Sequence, residues 1–357
     1  MQINELLKLT EWFDENIVEN QVPQKYTALH SKMNQNIRRN GNQPLVPFES
    51  EKENLAESIK DITFQSLSLE QIKFLEQLEI TELIGKVGVE QIDRVLIENN
   101  LDIATATKKI KEFSNTITKA QNTIKELQTT LLKSFEIEET DEVDNNQVLM
   151  RVYFQNDVAI ENLTDFKKLS ATWYDIGRGI AMAQDKSPED FNIIGAKKGS
   201  IIVEMAVAVG LATSVSKILL ESLKVADRFI NVLKQVEELK ALKLGNKKLA
   251  LDLKKEAEKE REEGTQTILN SAIEDLQLNA EQNGDKITAL EKSIKKLIGF
   301  TEDGGVVDFV QPNEPEEEEE NDAIREEIQR LKTNISEIRL LENQIKLLEN
   351  KINEEKN

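Results

Sequence analysis

An apolar repeat in the first half of the chain constrains the fold more than any other sequence feature. Its members recur at alternating intervals of three and four residues: Ile103, Ala106, Ile110, Phe113, Ile117, Ala120, Ile124, Leu127 and Leu131. Four heptads with this spacing place one apolar stripe along a helix, and such a stripe must be buried against another helix. The repeat therefore predicts a coiled coil or a long helical hairpin over residues 101–135.

Two further repeats have similar spacing. One runs through residues 218–239, with Ser222 as its polar member. The other lies near the end of the chain and comprises Ile324, Ile328, Leu331, Ile335, Ile338, Leu341, Ile345, Leu348 and Ile352. Two successive intervals of three residues, around Ile338, would overwind a supercoil locally. We expect residues 323–357 to form a C-terminal coiled-coil helix, whose partner helix lies in the same chain or in a second one.

The composition also favours a mainly α fold with long helices. Charged residues make up 31% of the 357 residues and aromatic residues only 5%, with 14 glycines and 6 prolines. Few turn-forming residues and many Leu, Ile, Glu, Lys and Gln suit long helices better than a compact α/β fold. We predict an N-terminal helical region at residues 1–100 and further long helices at residues 208–300.

A small α+β insert of about three short strands is predicted at residues 145–210. Residues 148–154 are rich in β-formers, and two more strands flank a predicted hairpin turn at residues 197–200. A helix would cover one face of this sheet with an apolar stripe of Leu163, Phe166, Leu169, Trp173, Ile176 and Ile180. Further along, two glycines and a run of glutamates predict an acidic flexible linker at residues 301–322.

Glu204 interrupts an otherwise apolar stretch within this insert. On a strand, the period of two places Ile202, Glu204 and Ala206 on one face, so Glu204 would face solvent while its neighbours face the core. The alternative is a buried glutamate with a raised pKa.

The charge and the residue inventory argue against several functional classes. A net charge of −20 is unfavourable for a nucleic-acid partner, because phosphate binding needs clustered Lys and Arg. The chain has no cysteine and a single histidine, His30, so disulfide frameworks and most zinc or His-dependent catalytic sites are excluded. Glycines at 195 and 199 lack the Gly-Lys-Ser/Thr ending of a phosphate loop. We predict no catalytic residue, no metal and no cofactor.

The run from Ile201 to Leu220 has the length of a membrane-spanning helix. Its large apolar members are Ile201, Ile202, Val203, Met205, Val207, Val209, Leu211, Val215, Ile218, Leu219 and Leu220. The β-forming character of its first third and the lack of an aromatic belt favour a strand followed by a core helix. A segment that enters a membrane under some conditions is the alternative.

These observations predict a non-enzymatic helical scaffold or partner-binding protein of a bacterial-type cytosol. It would bind itself or another protein through the helical seams. The first seven residues lack the features of a signal peptide, so we expect a cytoplasmic protein, with membrane association on activation as the alternative. The other functional hypotheses are a membrane-active effector of the toxin or defence type, which inserts residues 201–220, and a coiled-coil accessory subunit of a larger complex. The order of elements over residues 148–245 resembles a module of bacterial proteins that implies no activity.

Overall fold

The protein is mainly helical, with one small antiparallel sheet of four strands. The computed structural model describes residues 1–38, 44–99, 101–134, 147–197, 201–241, 247–279, 281–310, 312 and 322–356. Contacts between residues divide the chain into two compact units, residues 1–140 and residues 141–357. Each unit has a hydrophobic core of its own.

The described part of the first unit is helical. In chain order its helices are α1 (Ile3–Phe13), α2 (Val22–Arg38), α3 (Glu49–Ile59), α4 (Leu69–Gln77), α5 (Gly85–Glu98) and α6 (Ile103–Ser134). A π-helical turn at Asp14–Val18 continues α1. The order is therefore a series of short helices followed by one long helix.

Local sequence sets two of these helix boundaries. Ser68 caps α4 together with Gln71: Ser68 N donates to Gln71 Oε1 at 2.7 Å, and Gln71 N donates to Ser68 Oγ at 3.4 Å. This reciprocal pair satisfies amide groups that have no partner within the helix. Gly85 begins α5 with a φ of +69°, a left-handed conformation that glycine adopts without strain.

The core of the first unit forms where α6 meets the shorter helices. Ile110 and Ile117 of α6 are fully buried, as are Phe13 of α1 and Tyr26 of α2. The Tyr26 hydroxyl donates to the Leu83 carbonyl at 2.6 Å, so this buried phenol keeps a hydrogen bond. Each large apolar side chain that is fully buried contributes about 1.5–3 kcal/mol to folding.

The second unit combines the sheet with long helices. Its strands are β1 (Gln147–Phe154), β2 (Phe191–Lys197), β3 (Ile201–Ala208) and β4 (Val306–Phe309). Its helices are α7 (Leu163–Ala183), α8 (Val209–Ala241), α9 (Lys247–Asp275), α10 (Gly284–Glu302) and α11 (Asp322–Lys356). The strand order is β2-β3-β1-β4, and all neighbours are antiparallel.

The sheet has one strand more than the sequence predicts. The strands at 148–154 and on both sides of residue 199 are present, although residues 198–200 of the predicted turn lie outside the described residues. The additional strand is β4, which pairs with β1 inside the segment predicted as a flexible linker. Its four residues are too short to give a periodic signal, and its apolar residues Val307 and Phe309 are stabilised by burial against β1. Most of the acidic part of that segment lies outside the described residues.

One face of the sheet packs against α7 and α10. Met150, Val152 and Phe154 of β1 point to this side. The Phe300 ring of α10 lies between Phe154 and Trp173 of α7, with centroid distances of 5.6 and 5.2 Å and edge-to-face geometry. The predicted helix containing Trp173 therefore does cover one face of the sheet. The three rings form an aromatic cluster whose edge-to-face geometry is favourable.

The long helices pack against one another in pairs. α8 and α9 are antiparallel, because Lys217 pairs with Asp275 while Val225 lies against Gly264. α11 runs parallel to α8: Asn334 Nδ2 donates to Ser216 Oγ at 3.0 Å, and further along Lys224 Nζ is 3.8 Å from Glu337. At 1.5 Å of rise per residue, the 33 residues of α8 span about 50 Å.

Candidate functional site

The predicted α6 seam is buried within the first unit. Ile110, Ile117, Ile124 and Leu131 are at most 7% exposed. Ile103, Phe113 and Leu127 are partly buried at its margin. The stripe lies mainly against α2 of the same unit, and so it is already covered by the chain itself.

The predicted α11 seam is covered in the same way. Ile328, Leu331, Ile335 and Ile338 are at most 2% exposed, and they belong to the core that α8 and the sheet share. Ile324, Leu341 and Ile345 are partly buried against that core. Over the described residues, both seams are therefore packed inside the chain.

The apolar run at residues 201–220 is divided between two elements. Ile201, Ile202 and Val203 are partly buried on β3, where Met205 and Val207 are buried. The chain then enters α8, whose buried residues in the run are Val209, Leu211, Val215, Ile218, Leu219 and Leu220. Over the described residues, none of the helices combines the length and the apolarity needed to cross a bilayer.

Glu204 is buried, which corrects the prediction that it faces solvent. Its side chain is 9% exposed and lies opposite Arg151 of β1 in the strand register. Arg151 Nε donates to Glu204 Oε1 at 2.8 Å, and Lys197 Nζ lies 2.9 Å from the same oxygen. A period of two assigns a residue to a face but does not say whether that face is covered, and here the second face is also enclosed.

A second set of charges continues this row across the sheet. Asp308 of β4 lies opposite Arg151 in the register on the other side and is fully buried. Arg339 of α11 binds Asp308 through Nη2 and donates from Nη1 to Glu342 at 2.8 Å. Ion pairs therefore join β1 and β2 to β3 and join β4 to α11, and Arg151 and Asp308 lie opposite each other where β1 pairs with β4.

The six charges of this row balance one another. Three cations, Arg151, Lys197 and Arg339, face three carboxylates, Glu204, Asp308 and Glu342. Burial alone would raise the pKa of Glu204, but hydrogen bonds and charges from Arg151 and Lys197 outweigh it and lower that pKa below its ordinary value. A carboxylate held ionised by two cations is a poor general acid or base near neutral pH, so we assign Glu204 a structural role. At the other end of the row, burial raises the pKa of Glu342 despite its ion pair with Arg339.

Metal ligands do not gather in the described part of the chain. There, no three His, Asp or Glu side chains lie together in a way that could hold an ion. His30 is a partly exposed residue of α2 in the first unit.

Large apolar side chains are exposed on α7 and on the neighbouring strand β2. Leu163 is 86% exposed, Phe166 51% and Tyr174 58%. On β2, Ile193 is 66% and Ile194 38% exposed. We call these five residues the α7–β2 surface.

The two halves of this surface adjoin at Gly177. At 100° per residue, Leu163, Phe166, Ser170, Tyr174 and Gly177 lie along one side of α7. A Cβ atom at Gly177 would lie 3.3 Å from the Phe191 ring of β2. The C-terminal end of the exposed stripe of α7 therefore lies against β2, and Leu163 lies about 21 Å from that contact along the helix.

β2 is an edge strand of the sheet. Its other neighbour position is not taken by a strand among the described residues, and a register shift between Ile193 and Gly195 interrupts the pairing with β3. Edge strands present backbone groups that another chain can pair with. Exposed isoleucines on such a strand add apolar area to that edge.

No family model, no curated protein and no solved structure matches this chain. We therefore infer its function from the described side chains.

The sequence placed part of this surface on the wrong side of α7. Leu163 and Phe166 were included in the predicted inner stripe with Leu169, Ile176 and Ile180, which the structure does bury. At 100° per residue, Leu163 lies roughly 120° from the centre of the stripe that these three residues define. A stricter angular test would have identified Leu163 as a surface residue, whereas the edge position of β2 has no signal in the sequence.

Proposed function

We propose that this chain is a non-enzymatic helical scaffold protein that binds another protein through the α7–β2 surface. The observation that carries this conclusion is the exposure of five large apolar side chains on two adjoining elements. In the described part of the second unit, the one other large apolar side chain of comparable exposure is Leu340 of α11. Large apolar side chains exposed on neighbouring elements are a feature of interaction sites in proteins.

The seams were expected to bind a partner, but they support a scaffold by packing the long helices within the chain. Because Ile117 of α6 and Ile335 of α11 are buried in their own units, the seams hold long helices in place and are not free for a partner. Binding through the seams would require those helices to separate first. The α7–β2 surface needs no such rearrangement.

The charge row also supports a non-enzymatic protein. Its carboxylates are matched by cations, and Arg151 and Asp308 are fully buried. An acid or base must lie within hydrogen-bonding reach of a substrate, and these groups are enclosed by their own partners.

The same surface would serve an accessory subunit of a larger complex, so we treat that hypothesis as one form of the proposal. The membrane-active effector is less favoured. Inserting residues 201–220 would withdraw eight large apolar side chains from the core, at about 1.5–3 kcal/mol each.

Light scattering and crosslinking with mass spectrometry test the proposal. We expect the chain to form a complex with itself or with a protein from its source cell, with crosslinks near residues 163–194. Tyr174→Lys and Ile193→Lys should each weaken that complex about tenfold or more, as loss of a central apolar contact does. Ile97→Lys is the matched control, because Ile97 is 71% exposed but lies in the first unit.

Two results would contradict the proposal. One is a strict monomer that recovers no protein partner. The other is a complex that Tyr174→Lys, Ile193→Lys and Ile97→Lys all leave unchanged.

A further inference from the structure

An Asn-Gly pair, Asn283-Gly284, lies at the start of α10. Asparagine before glycine can modify itself, because the next amide nitrogen can attack the side-chain carbonyl and glycine has no Cβ atom to obstruct that approach. The chain's one other Asn-Gly pair, Asn40-Gly41, lies outside the described residues. Whether Asn283 reacts in the folded protein therefore depends on the geometry at the start of α10.

The attacking group would be the backbone nitrogen of Gly284, and it is accessible. Gly284 is the first residue of α10, where amide groups have no carbonyl partner within the helix. Among the described residues, none accepts a hydrogen bond from this nitrogen. Gly284 is exposed, and no atom lies within 4 Å of the position that a Cβ atom would take. The positive end of the helix dipole also favours loss of the amide proton here.

The group that would be attacked is the side-chain carbonyl of Asn283, and it is already polarised. Its Oδ1 accepts a hydrogen bond from Asn279 N at 2.9 Å, while Asn283 N donates to the Asn279 carbonyl at 2.7 Å. Negative charge develops on Oδ1 when a nucleophile adds to Cγ. A donor that is already in place at that oxygen stabilises the tetrahedral intermediate.

Asn162 occupies the same position before α7 but is bound differently. Its Oδ1 accepts hydrogen bonds from Thr164 N at 2.9 Å and from Asp165 N at 3.1 Å, so the side chain is held against its own helix. The residue that follows it is Leu163, whose side chain obstructs attack by the backbone nitrogen. Asn283 makes no such capping hydrogen bond to α10. The two asparagines therefore form a comparison within one chain.

The reaction at Asn283 requires one local rearrangement. Its ψ is 25°, and closing a five-membered ring needs the peptide to rotate until the nitrogen faces Cγ. This rotation breaks the hydrogen bond from Ile287 N to the Asn283 carbonyl, which is 3.0 Å long. That bond is the first of α10, and helix ends fray.

We infer that Asn283 deamidates spontaneously in the folded protein. Gly284 N loses its proton and forms a bond to Asn283 Cγ, the bond from Cγ to Nδ2 breaks, and Nδ2 leaves as ammonia. Water then opens the resulting succinimide at either carbonyl, which gives aspartate or isoaspartate. One water is consumed and one ammonia is released, so no oxidant or reductant takes part.

Both products place a carboxylate at the N-terminus of α10. The helix dipole stabilises a negative charge at this end. Isoaspartate also adds a carbon atom to the backbone immediately before α10. This covalent change lies outside the α7–β2 surface and does not depend on the proposed protein binding.

Peptide mapping by mass spectrometry of the full-length protein, incubated at mildly alkaline pH, tests the inference. We expect the peptide containing Asn283 to exchange its amide for a carboxyl group and to separate into two products of equal mass. Asn162 should stay unmodified in the same sample. A parallel incubation in urea gives the rate for the unfolded chain. The folded rate at Asn283 should lie within about tenfold of it, the cost of opening one hydrogen bond.

Two variants test the role of glycine. Gly284→Ala should slow the conversion at least about tenfold, because the added methyl group obstructs attack while no neighbouring atom opposes it in the folded protein. Gly299→Ala is the matched control: it makes the same substitution later in α10, also with no atom within 4 Å, and should leave the rate unchanged.

Three results would overturn the inference. The first is an unmodified Asn283 in the folded protein after the chain in urea has reacted. The second is a Gly284→Ala protein that reacts as fast as the wild type, and the third is equal modification of Asn162 and Asn283 in the folded protein. Ile193→Lys should not change the rate, so failure here and failure of the protein-binding proposal are distinguishable.

Discussion

Buried charges are the least expected residues of this protein. Arg151 and Asp308 are fully buried, and Glu204 is nearly so. Ionised groups lose several kcal/mol of hydration on burial, and an ion pair recovers this only with good geometry. Arg151 lies opposite Glu204 and Asp308 in the register, and Asp308 binds Arg339 of α11, so the row favours one alignment of β1, β3 and β4 over shifted ones.

Removing one member of the row should be strongly destabilising. We expect Arg151→Met to lower the free energy of unfolding by about 3–5 kcal/mol, because Glu204 is left buried without its main partner. Urea unfolding followed by circular dichroism measures the change. Arg330→Met is the control, since that exposed arginine pairs with Glu326 and Glu327 at 3.5 and 3.7 Å and should contribute under about 1 kcal/mol. Equal effects of the two variants would refute the structural role of the row.

The same row predicts a loss of stability in acid. The folded-state pKa of Glu204 is below its ordinary value, so its contribution is complete above the unfolded pKa of about 4.3 and is lost as the pH falls through the folded value. Lys296 and Lys292 also lower the pKa of Asp175, so protonation of Asp175 in acid destabilises the folded protein as well.

Comparing wild type with Glu204→Gln isolates the part due to Glu204. We expect the urea midpoint of the wild type to fall more steeply between pH 5 and pH 3 than that of Glu204→Gln, because the variant has no carboxylate to protonate. Parallel curves would show that Glu204 contributes nothing to the pH dependence.

At the scale of elements, α7 has two different faces. Gly179 lies at the crossing with α10, where a Cβ atom would overlap Ser293 Oγ and the Ala289 carbonyl. Ser293 Oγ donates to the Asp175 carbonyl at 2.9 Å across the same contact. On the opposite face, Leu163 and Tyr174 are exposed to solvent, so one helix both packs in the core and carries part of the proposed binding surface.

The α7–α10 crossing should not tolerate an added methyl group. We expect Gly179→Ala to destabilise the protein by about 1–3 kcal/mol, because the helices must move apart. Gly299→Ala in α10 is the matched control: no atom lies within 4 Å of its Cβ position, and alanine should stabilise the helix by about 0.5–1 kcal/mol. Thermal unfolding of the two variants gives the signs, and a stabilising Gly179→Ala would contradict the close crossing.

At the scale of the whole molecule, the chain contains two cores that share no residue. The first is formed by α1–α6, and the second by the sheet with α7–α11. Both units have lengths within the range of about 50–250 residues that is typical of protein domains.

The two units should therefore fold separately. We expect a fragment of residues 1–134 and a fragment of residues 147–357 each to show helical circular dichroism and a cooperative thermal transition. Ile117→Asp should abolish the transition of the first fragment, because it places a charge in that core, whereas the same substitution at exposed Ile97 should not. A fragment that unfolds without cooperativity would refute this division.

Sequence periodicity was sufficient to predict the mainly α class with long helices and a small sheet. A period of 3.6 indicates a helix and a period of 2 indicates a strand, and both arise from backbone geometry alone. Periodicity also predicted apolar stripes on α6 and α11, and most of their described residues are buried. The partner itself is set by contacts between distant residues: α2 covers the α6 seam and α8 covers the α11 seam. The enclosure of Glu204, the pairing of β4 and the edge position of β2 likewise depend on such contacts. Periodicity indicates which side of an element is apolar, whereas only tertiary packing decides what, if anything, covers it.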